Sequence, residues 1–361
     1  MSTMTNNAVA ISQKRIATFL RIFKPKMLVV GSNNGLIWLT DIGGGSDHNT
    51  MCIGSCTEDH MVKFTVQDFG KWVRSAGVKS DVTFSFHDEG FQAHCDKLGQ
   101  RTFTSSSHDK KSGPDGLDNL GDFEATIPAE VVATLNDIVA CCDTESSRYA
   151  LGGVCVEHNV AVATDGRRLA KIDFDSIGAP EWKTEPVVNA NGKPMTDGLP
   201  WQSLIPAGLI RYAAAFGEPI DIFGRGLVAG DVRCNKIEGR FPNWRNAIPD
   251  DCDTAAVYDG VALLEMCDRQ IARNKASDEN NNSMTIERTD ADGNQFSILM
   301  DPVFVKDAVK GLDAVRMRWN ASKIREPNAK RKIGRYLYSP ILCDSDDRPG
   351  WNYVIMPMRE G

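Results

Sequence analysis

The sequence predicts an α+β fold of three similar domains, each made of two β–α–β units with antiparallel sheet and few helices. Three observations carry that expectation. A pattern of short strand, three-turn amphipathic helix and second strand occurs six times. Two turn-rich breaks cut the chain into pieces of like size. Prolines stand where three of the helices should begin.

In chain order, the first unit opens with AVAISQKRIATFLRIF from Ala8, and the second is KFTVQDFGKWVRSAGVKSDVTFSF from Lys63. In the latter, Phe69, Trp72, Val73 and Ala76 recur at helical spacing, and Val82, Phe84 and Phe86 alternate as in a strand. Asp109–Asp122 (DKKSGPDGLDNLGD) closes the first domain. FEATIPAEVVATLNDIV from Phe123 and QSLIPAGLIRYAAAFGEPIDIFG from Gln202 supply the middle pair, with the turn-rich Asn189–Pro200 between them. The acidic break Pro249–Thr254 precedes TAAVYDGVALLEMCDRQI and then FSILMDPVFVKDAVKGLDAVRMRW from Phe296, in which Val315, Met317 and Trp319 alternate. Pro128, Pro206 and Pro302 fall at helix starts, where a fixed φ and a missing N–H do no harm. The expected domains are 1–121, 122–252 and 253–361.

Composition narrows the function. The 361-residue chain has a net charge of −7, which disfavours a simple basic nucleic-acid binder but not a basic lining inside an acidic exterior. No run of about 18 apolar residues exists, so no membrane-spanning helix is expected. The first twenty residues lack an apolar signal core, so no secretory signal is expected either. The ten cysteines show no C-x-x-C pair and read as reduced thiols of a cytoplasmic protein.

Catalytic and metal motifs are weak. His48, Cys52, Cys56 and His60 are spaced by four, but an extended strand puts Cys52 and Cys56 about 13 Å apart, too far for one tetrahedral ion without a bend. The GGGS at 43–46 lacks the Lys-Ser/Thr of a phosphate loop. Asp165 in TDG reads as a turn residue. No metal, cofactor or catalytic residue is expected.

RYALGGV (Arg148–Val154), VATDGRRLA (Val162–Ala170), EGRFPNWRNAIP (Glu238–Pro249) and YVIMPMR (Tyr353–Arg359) resemble, in order and spacing, signatures of the bacterial DNA polymerase III beta subunit, the sliding-clamp family. The resemblance is strong over 122–252, fair over 253–361 and weak before 122. It implies a ring-forming DNA clamp: three clamp domains per chain, two chains closed head to tail, helices lining the hole and sheets outside. It implies a non-catalytic processivity factor whose partners are double-stranded DNA, the replicative polymerase, the clamp loader and other clamp-motif proteins. The runner-up is a clamp-like paralogue that binds proteins without encircling DNA.

Such a ring holds duplex DNA through sequence-independent phosphate contacts. The six helical segments together hold more Lys and Arg than Asp and Glu, against the sign of the whole chain. The expected DNA-facing residues are Lys14, Arg15, Arg21, Lys24, Lys71, Arg74, Tyr149 and Arg211. A second basic stretch, Lys323–Arg335, reads as a solvated hairpin loop.

The resemblance also implies a pocket for a short apolar peptide carrying Gln and Leu/Phe. Its matching residues are Leu151, Thr164, Gly166, Arg168, Leu169, Pro242, Val354, Met356, Pro357, Met358 and Arg359, and Arg167, Asn246 and Ala247 stand at further positions of the same pocket. Arg167 departs from the family's usual aromatic or His, Asn246 from Arg, Ala247 from a larger aliphatic, and Glu360–Gly361 from a single aliphatic ending. At the ring contact, Phe103 on an edge-like run is expected to face Ile271 and Ala272, which replace paired aliphatics.

Overall fold

The computed structural model describes residues 11–25, 27–33, 36–41, 49–55, 61–77, 79–87, 90–104, 120–143, 149–157, 160–178, 202–276, 283–290, 292–325 and 335–358. They fall into two compact units. One holds the described residues up to Asn136 and from Ile205 to Ile237; the other holds the rest.

The chain opens with β1 (Ile11–Ser12), α1 (Gln13–Phe23), β2 (Met27–Asn33), β3 (Leu36–Asp41), β4 (Thr50–Ser55), β5 (Met61–Thr65), α2 (Val66–Ala76), β6 (Asp81–His87), β7 (Gly90–Cys95) and β8 (Gly99–Thr104). The same succession returns as β9 (Phe123–Ile127), α3 (Ala129–Ile138), β10 (Gly153–Glu157), β11 (Val160–Thr164), β12 (Arg168–Asp173), β13 (Gln202–Pro206), α4 (Ala207–Phe216), β14 (Ile220–Phe223), β15 (Gly226–Ala229) and β16 (Val232–Asn235).

The third succession differs. It runs β17 (Thr254–Asp259), α5 (Gly260–Ala276), β18 (Met284–Thr289), β19 (Gln295–Met300), α6 (Pro302–Val309), β20 (Ala314–Trp319), β21 (Ile324–Arg325), β22 (Tyr336–Leu337), β23 (Ile341–Asp344) and β24 (Trp351–Ile355). Between its two helices the described residues form two strands rather than four, because 277–301 is too short for four strands and their turns. Two short strands come instead from the long connection between β20 and β23.

Local chemistry sets the helix ends. Ser12 caps α1 by accepting from the Arg15 N–H at 3.4 Å, and Lys24 ends it in the left-handed region at φ 47°. Asp301 caps α6 by accepting from the Val303 N–H at 2.8 Å, with Pro302 in the first turn. Pro206 stands at the N-cap of α4, and Gly217 closes that helix at φ 65°.

The first unit contains an eight-stranded sheet, β5-β2-β3-β4-β16-β15-β14-β9, and a four-stranded sheet, β1-β6-β7-β8. The second contains β13-β10-β11-β12-β24-β23-β20-β17 and β18-β19-β22-β21. In each eight-stranded sheet, two successions meet by an antiparallel pair: Val232 opposite Met51 joins β16 to β4, and Leu169 opposite Val354 joins β12 to β24. The alternation read from the sequence has a plain outcome: Val82 and Phe84 of β6, and Val315, Met317 and Trp319 of β20, are all buried. In the first unit α1 packs against both α2 and α4, with Ile16 and Phe19 fully buried. No helix among the described residues is long and apolar enough to cross a membrane.

The nine described cysteines are free thiols. Burial pushes Cys141, Cys155 and Cys267 up from about 9 to about 12. Burial likewise raises the phenols of Tyr212 and Tyr353. An acid whose folded pKa is raised stabilises the fold below its unfolded value and loses that contribution as pH climbs toward the folded value. The melting temperature is therefore expected to hold up to about pH 8.5, then fall steadily toward about pH 12. A calorimetric series across that range checks this; a melting temperature level to pH 11 would contradict the burial of these groups.

Candidate functional site

The peptide-site residues predicted from three distant stretches lie in one unit, the second. Strand pairing does most of the assembly. β12 runs between β11 and β24, so Leu169 faces both Thr164 and Val354, and Arg168 stands opposite Ile355. The ladder is extended past β24 by Met356, whose N–H donates to the Arg167 carbonyl at 2.9 Å, and Met358 donates to the Leu299 carbonyl at 2.8 Å.

The turn 165–167 between β11 and β12 is held by its own side chains. The Asp165 Oδ1 accepts from the backbone N–H groups of Arg167 (2.9 Å) and Arg168 (3.0 Å). The Thr164 hydroxyl donates to the Arg168 carbonyl at 2.6 Å and accepts from the Gly166 N–H at 3.0 Å. Gly166 takes φ 85°, which side-chain-bearing residues avoid. The TDGR turn is thus an Asx-type turn, as its composition indicates.

The third stretch is brought in by Glu157 at the end of β10, which is 4% exposed. Its carboxylate accepts from Trp244 Nε1 at 3.2 Å and from Arg245 at 2.6 Å, and the Arg245 guanidinium lies 4.2 Å from the centre of the Trp244 ring. Trp244 is buried; Pro242, Asn246 and Ala247 beside it are exposed. The site therefore has a floor and a rim. Leu151, Leu169 and Val354 are 2–3% exposed, whereas Met356 is 42% exposed, with Pro357 and Met358 half-buried. Arg359 lies outside the described residues.

Arg168 is the most heavily engaged side chain of the site. Its guanidinium donates to Asp165 (2.9 Å), Asp307 (2.5 Å), the Tyr353 hydroxyl (3.3 Å) and the Ala140 carbonyl, and lies 4.4 Å from the centre of the Phe304 ring. Burial alone would lower its pKa, yet these partners raise it, so the charge is fixed. Arg168 ties β12 to α6, to β24 and to the turn after α3. Sequence reading gave Arg168 but not Asp307, Phe304, Tyr353 or Ala140; their distance along the chain hides them, and only the TDGR turn signals the Asp165 contact.

The expected DNA-facing side chains on α1, α2 and α4 lie in the first unit. Lys14, Arg21, Lys24, Lys71, Arg74 and Arg211 are exposed there, and Lys14 Nζ sits 5.3 Å from the centre of the Phe216 ring. Arg15 is placed differently from the expectation. It pairs with Glu218 at 2.5 Å and Asp231 at 2.8 Å and covers the Phe216 ring at 4.7 Å, while the Tyr212 hydroxyl donates to the same Asp231 oxygen at 2.7 Å. Its charge is compensated within the chain and binds α1 to α4. Tyr149 lies in the short turn Tyr149–Leu151 of the second unit.

Phe103 is on the edge strand β8, but its ring is 6% exposed. It stacks on Phe91 at 5.1 Å and meets Phe69 and Trp72 edge-on at 5.4 and 6.0 Å. The edge is backbone; the ring belongs to the core beneath it. Ile271 is half-buried and Ala272 exposed, both on α5. Among the described residues no group of three His, Cys, Asp or Glu side chains is placed to hold a metal; His48, Cys56 and His60 lie outside them, with Cys52 on β4.

No family model matches the chain. A curated beta sliding clamp of Treponema pallidum (strain Nichols) is 26% identical over 156 residues, 42% of this chain and 40% of that protein; the matched stretch thus spans well under half the relative's length. Solved structures match throughout. The DNA polymerase III beta subunit of Thermotoga maritima superposes with a TM-score of 0.67 at 14% identity, covering 98% of this chain and 100% of that one. The Bartonella birtlesii sliding clamp, solved bound to griselimycin, gives 0.63 at 16%, and the Pseudomonas aeruginosa beta subunit 0.61 at 15%, each with the same coverage. The chain has the fold of the bacterial DNA polymerase III beta sliding clamp.

Proposed function

We propose that the chain is a sliding clamp: two copies close into a ring around duplex DNA and tether the replicative polymerase, the clamp loader and other proteins bearing a clamp-binding peptide. The observation that carries this reading is the likeness of fold over 98% of the chain and the whole of a solved clamp. Its domains are 1–121, 122–252 and 253–361, and it acts in the cytoplasm without catalysis or cofactor. Retention is topological, since a closed ring cannot leave DNA sideways. The exposed bases of α1, α2 and α4 support phosphate contacts that are independent of sequence, and binding weakens with salt in proportion to the phosphates met. The floor and rim around Met356 support docking of an extended apolar peptide.

A second reading, a clamp-like interaction module that does not encircle DNA, draws support from the altered third succession of strands. One experiment separates them. Protein assembled by a clamp loader on a nicked circular plasmid is expected to stay through gel filtration and to be released when the plasmid is cut. Equal retention on circular and linear DNA would overturn the ring; peptide binding without any retention would favour the module.

A further inference from the structure

The two eight-stranded sheets are joined unequally. In the second unit, β12 and β24 pair over five positions, and the Met356 N–H extends the ladder to the Arg167 carbonyl. In the first unit, β16 meets β4 at two positions, Val232 opposite Met51 and Arg233 opposite Thr50. One further bond runs from the Cys52 N–H to the Asp231 carbonyl at 2.8 Å. So short a ladder leaves most of the cohesion between the first two successions to side chains.

Those side chains belong to α1, which reaches the second succession at both of its ends. Phe23, in its last turn, rests on Gly208 at the start of α4, where a β-carbon would lie 2.7 Å from the ring. Arg15, in its first turn, reaches Glu218 just past α4 and Asp231 between β15 and β16. Asp231 is the meeting point. Its Oδ1 accepts from Arg15 at 2.8 Å and from the Tyr212 hydroxyl of α4 at 2.7 Å, while its carbonyl accepts from β4. Gly230 beside it has φ 56°. A β-carbon there would lie 3.0 Å from the Glu218 carboxyl carbon and 3.3 Å from an Arg15 nitrogen, so the turn leaves room for the pair to close.

The closed clasp carries a penalty. Asp231 Oδ2 is buried and has no hydrogen-bond partner among the described residues. A charged oxygen kept dry opposes the arrangement that buries it, and water reaches it when α1 parts from the β15–β16 turn. Closed, the joint gains two ion pairs; open, it gains a hydrated carboxylate.

We propose that the join between the first two successions is a latched hinge: Arg15, held by Asp231 and Glu218, keeps α1 against α4, and its release lets the first succession swing about β4 and β16 while β12 and β24 stay paired. The consequence for DNA rests on the ring reading above: a ring that bends at this joint opens more often and keeps its DNA for less time.

Hydrogen exchange of the full chain, followed by mass spectrometry, tests the hinge. Arg15→Met and Asp231→Asn are each expected to speed exchange in the segments of β4 and β16 about tenfold and to leave β12 and β24 as in wild type. The double variant is expected to exchange no faster than either single one, because both remove the same clasp. Unchanged exchange in β4 and β16, or an equal rise throughout unit one, overturns the latch. Retention on a nicked circular plasmid tests the consequence. Both variants are expected to leave about tenfold sooner. Asp231→Asn removes a negative charge and frees Arg15, so a direct contact of Arg15 with phosphate predicts the opposite sign for it, and longer retention overturns the proposal. Ile16 is fully buried on the same helix, so Ile16→Val is expected to lower the melting temperature and leave retention unchanged. If Ile16→Val shortens retention as much, loss of stability explains the effect and the latch falls. A wild-type chain that circular DNA does not retain overturns the ring, and the exchange result then decides the hinge alone.

Discussion

Replacing Phe103 by Asp is expected to unfold the sheet that ends the first unit, not merely to separate the subunits of a dimer. The ring sits among Phe69, Trp72 and Phe91 with 6% of its surface exposed. Deleting such a ring costs about 3–5 kcal/mol. Placing an unpaired carboxylate in the same space adds several more, or forces the neighbours apart to let water in. A domain has only about 5–15 kcal/mol to lose. The Phe103→Asp chain should therefore lose its near-ultraviolet aromatic signal and melt far below wild type, or fail to accumulate. Phe103→Leu, which keeps an apolar side chain, should stay folded. A Phe103→Asp protein with wild-type melting and only a weakened dimer would place the ring at the subunit boundary after all.

Phe103 illustrates what a sequence pattern can and cannot say. The run QRTFTSS announces a strand, and its place at the sheet's edge is where the structure puts it. Which way the ring turns depends on Phe69, Trp72 and Phe91, and no period in the sequence expresses that. Helices were legible because their signals are local. Pro128 precedes α3, Pro206 caps α4 and Pro302 opens α6. The alternation in β6 and β20 was legible for the same reason. The third succession was not. Six similar units were expected, yet the stretch between α5 and α6 holds two described strands, and β21 and β22 are two residues each, too short for any pattern. β21, within the basic stretch Lys323–Arg335, pairs antiparallel with β22 just after it, and 326–334 between them lie outside the described residues. β22 then joins β19 through a parallel contact of Ser297 with Tyr336, a long-range choice. Arg15 misled for a related reason: its partners Glu218 and Asp231 are some two hundred positions away, and a basic helix face looks alike whether or not its charges are paired.

The proposed peptide site yields the sharpest separation between binding and folding, because its apolar residues differ so much in exposure. Met356 is 42% exposed, so Met356→Glu removes a flexible apolar contact and adds a charge without opening a cavity. Leu169 is 3% exposed and lies opposite both Thr164 and Val354, so Leu169→Ala opens one, at about 2–5 kcal/mol of stability. Burying a peptide Leu or Phe contributes about 1.5–3 kcal/mol. A few such contacts, less the cost of ordering the peptide, put wild-type affinity near micromolar, about −8 kcal/mol. Asn246 in place of the family's usual Arg should leave it weaker than is typical of that family. A fluorescent peptide of the Gln-x-x-Leu-Phe type, titrated by anisotropy, is expected to bind wild type and to lose at least tenfold in affinity to Met356→Glu, whose melting temperature should match wild type. Leu169→Ala should lose both binding and several degrees of melting temperature. If Met356→Glu binds as wild type does, the peptide lies elsewhere. If wild type fails to saturate at millimolar protein, a floor and rim built by β12, β24 and the Glu157–Trp244 contact are not enough to make a docking site in this chain.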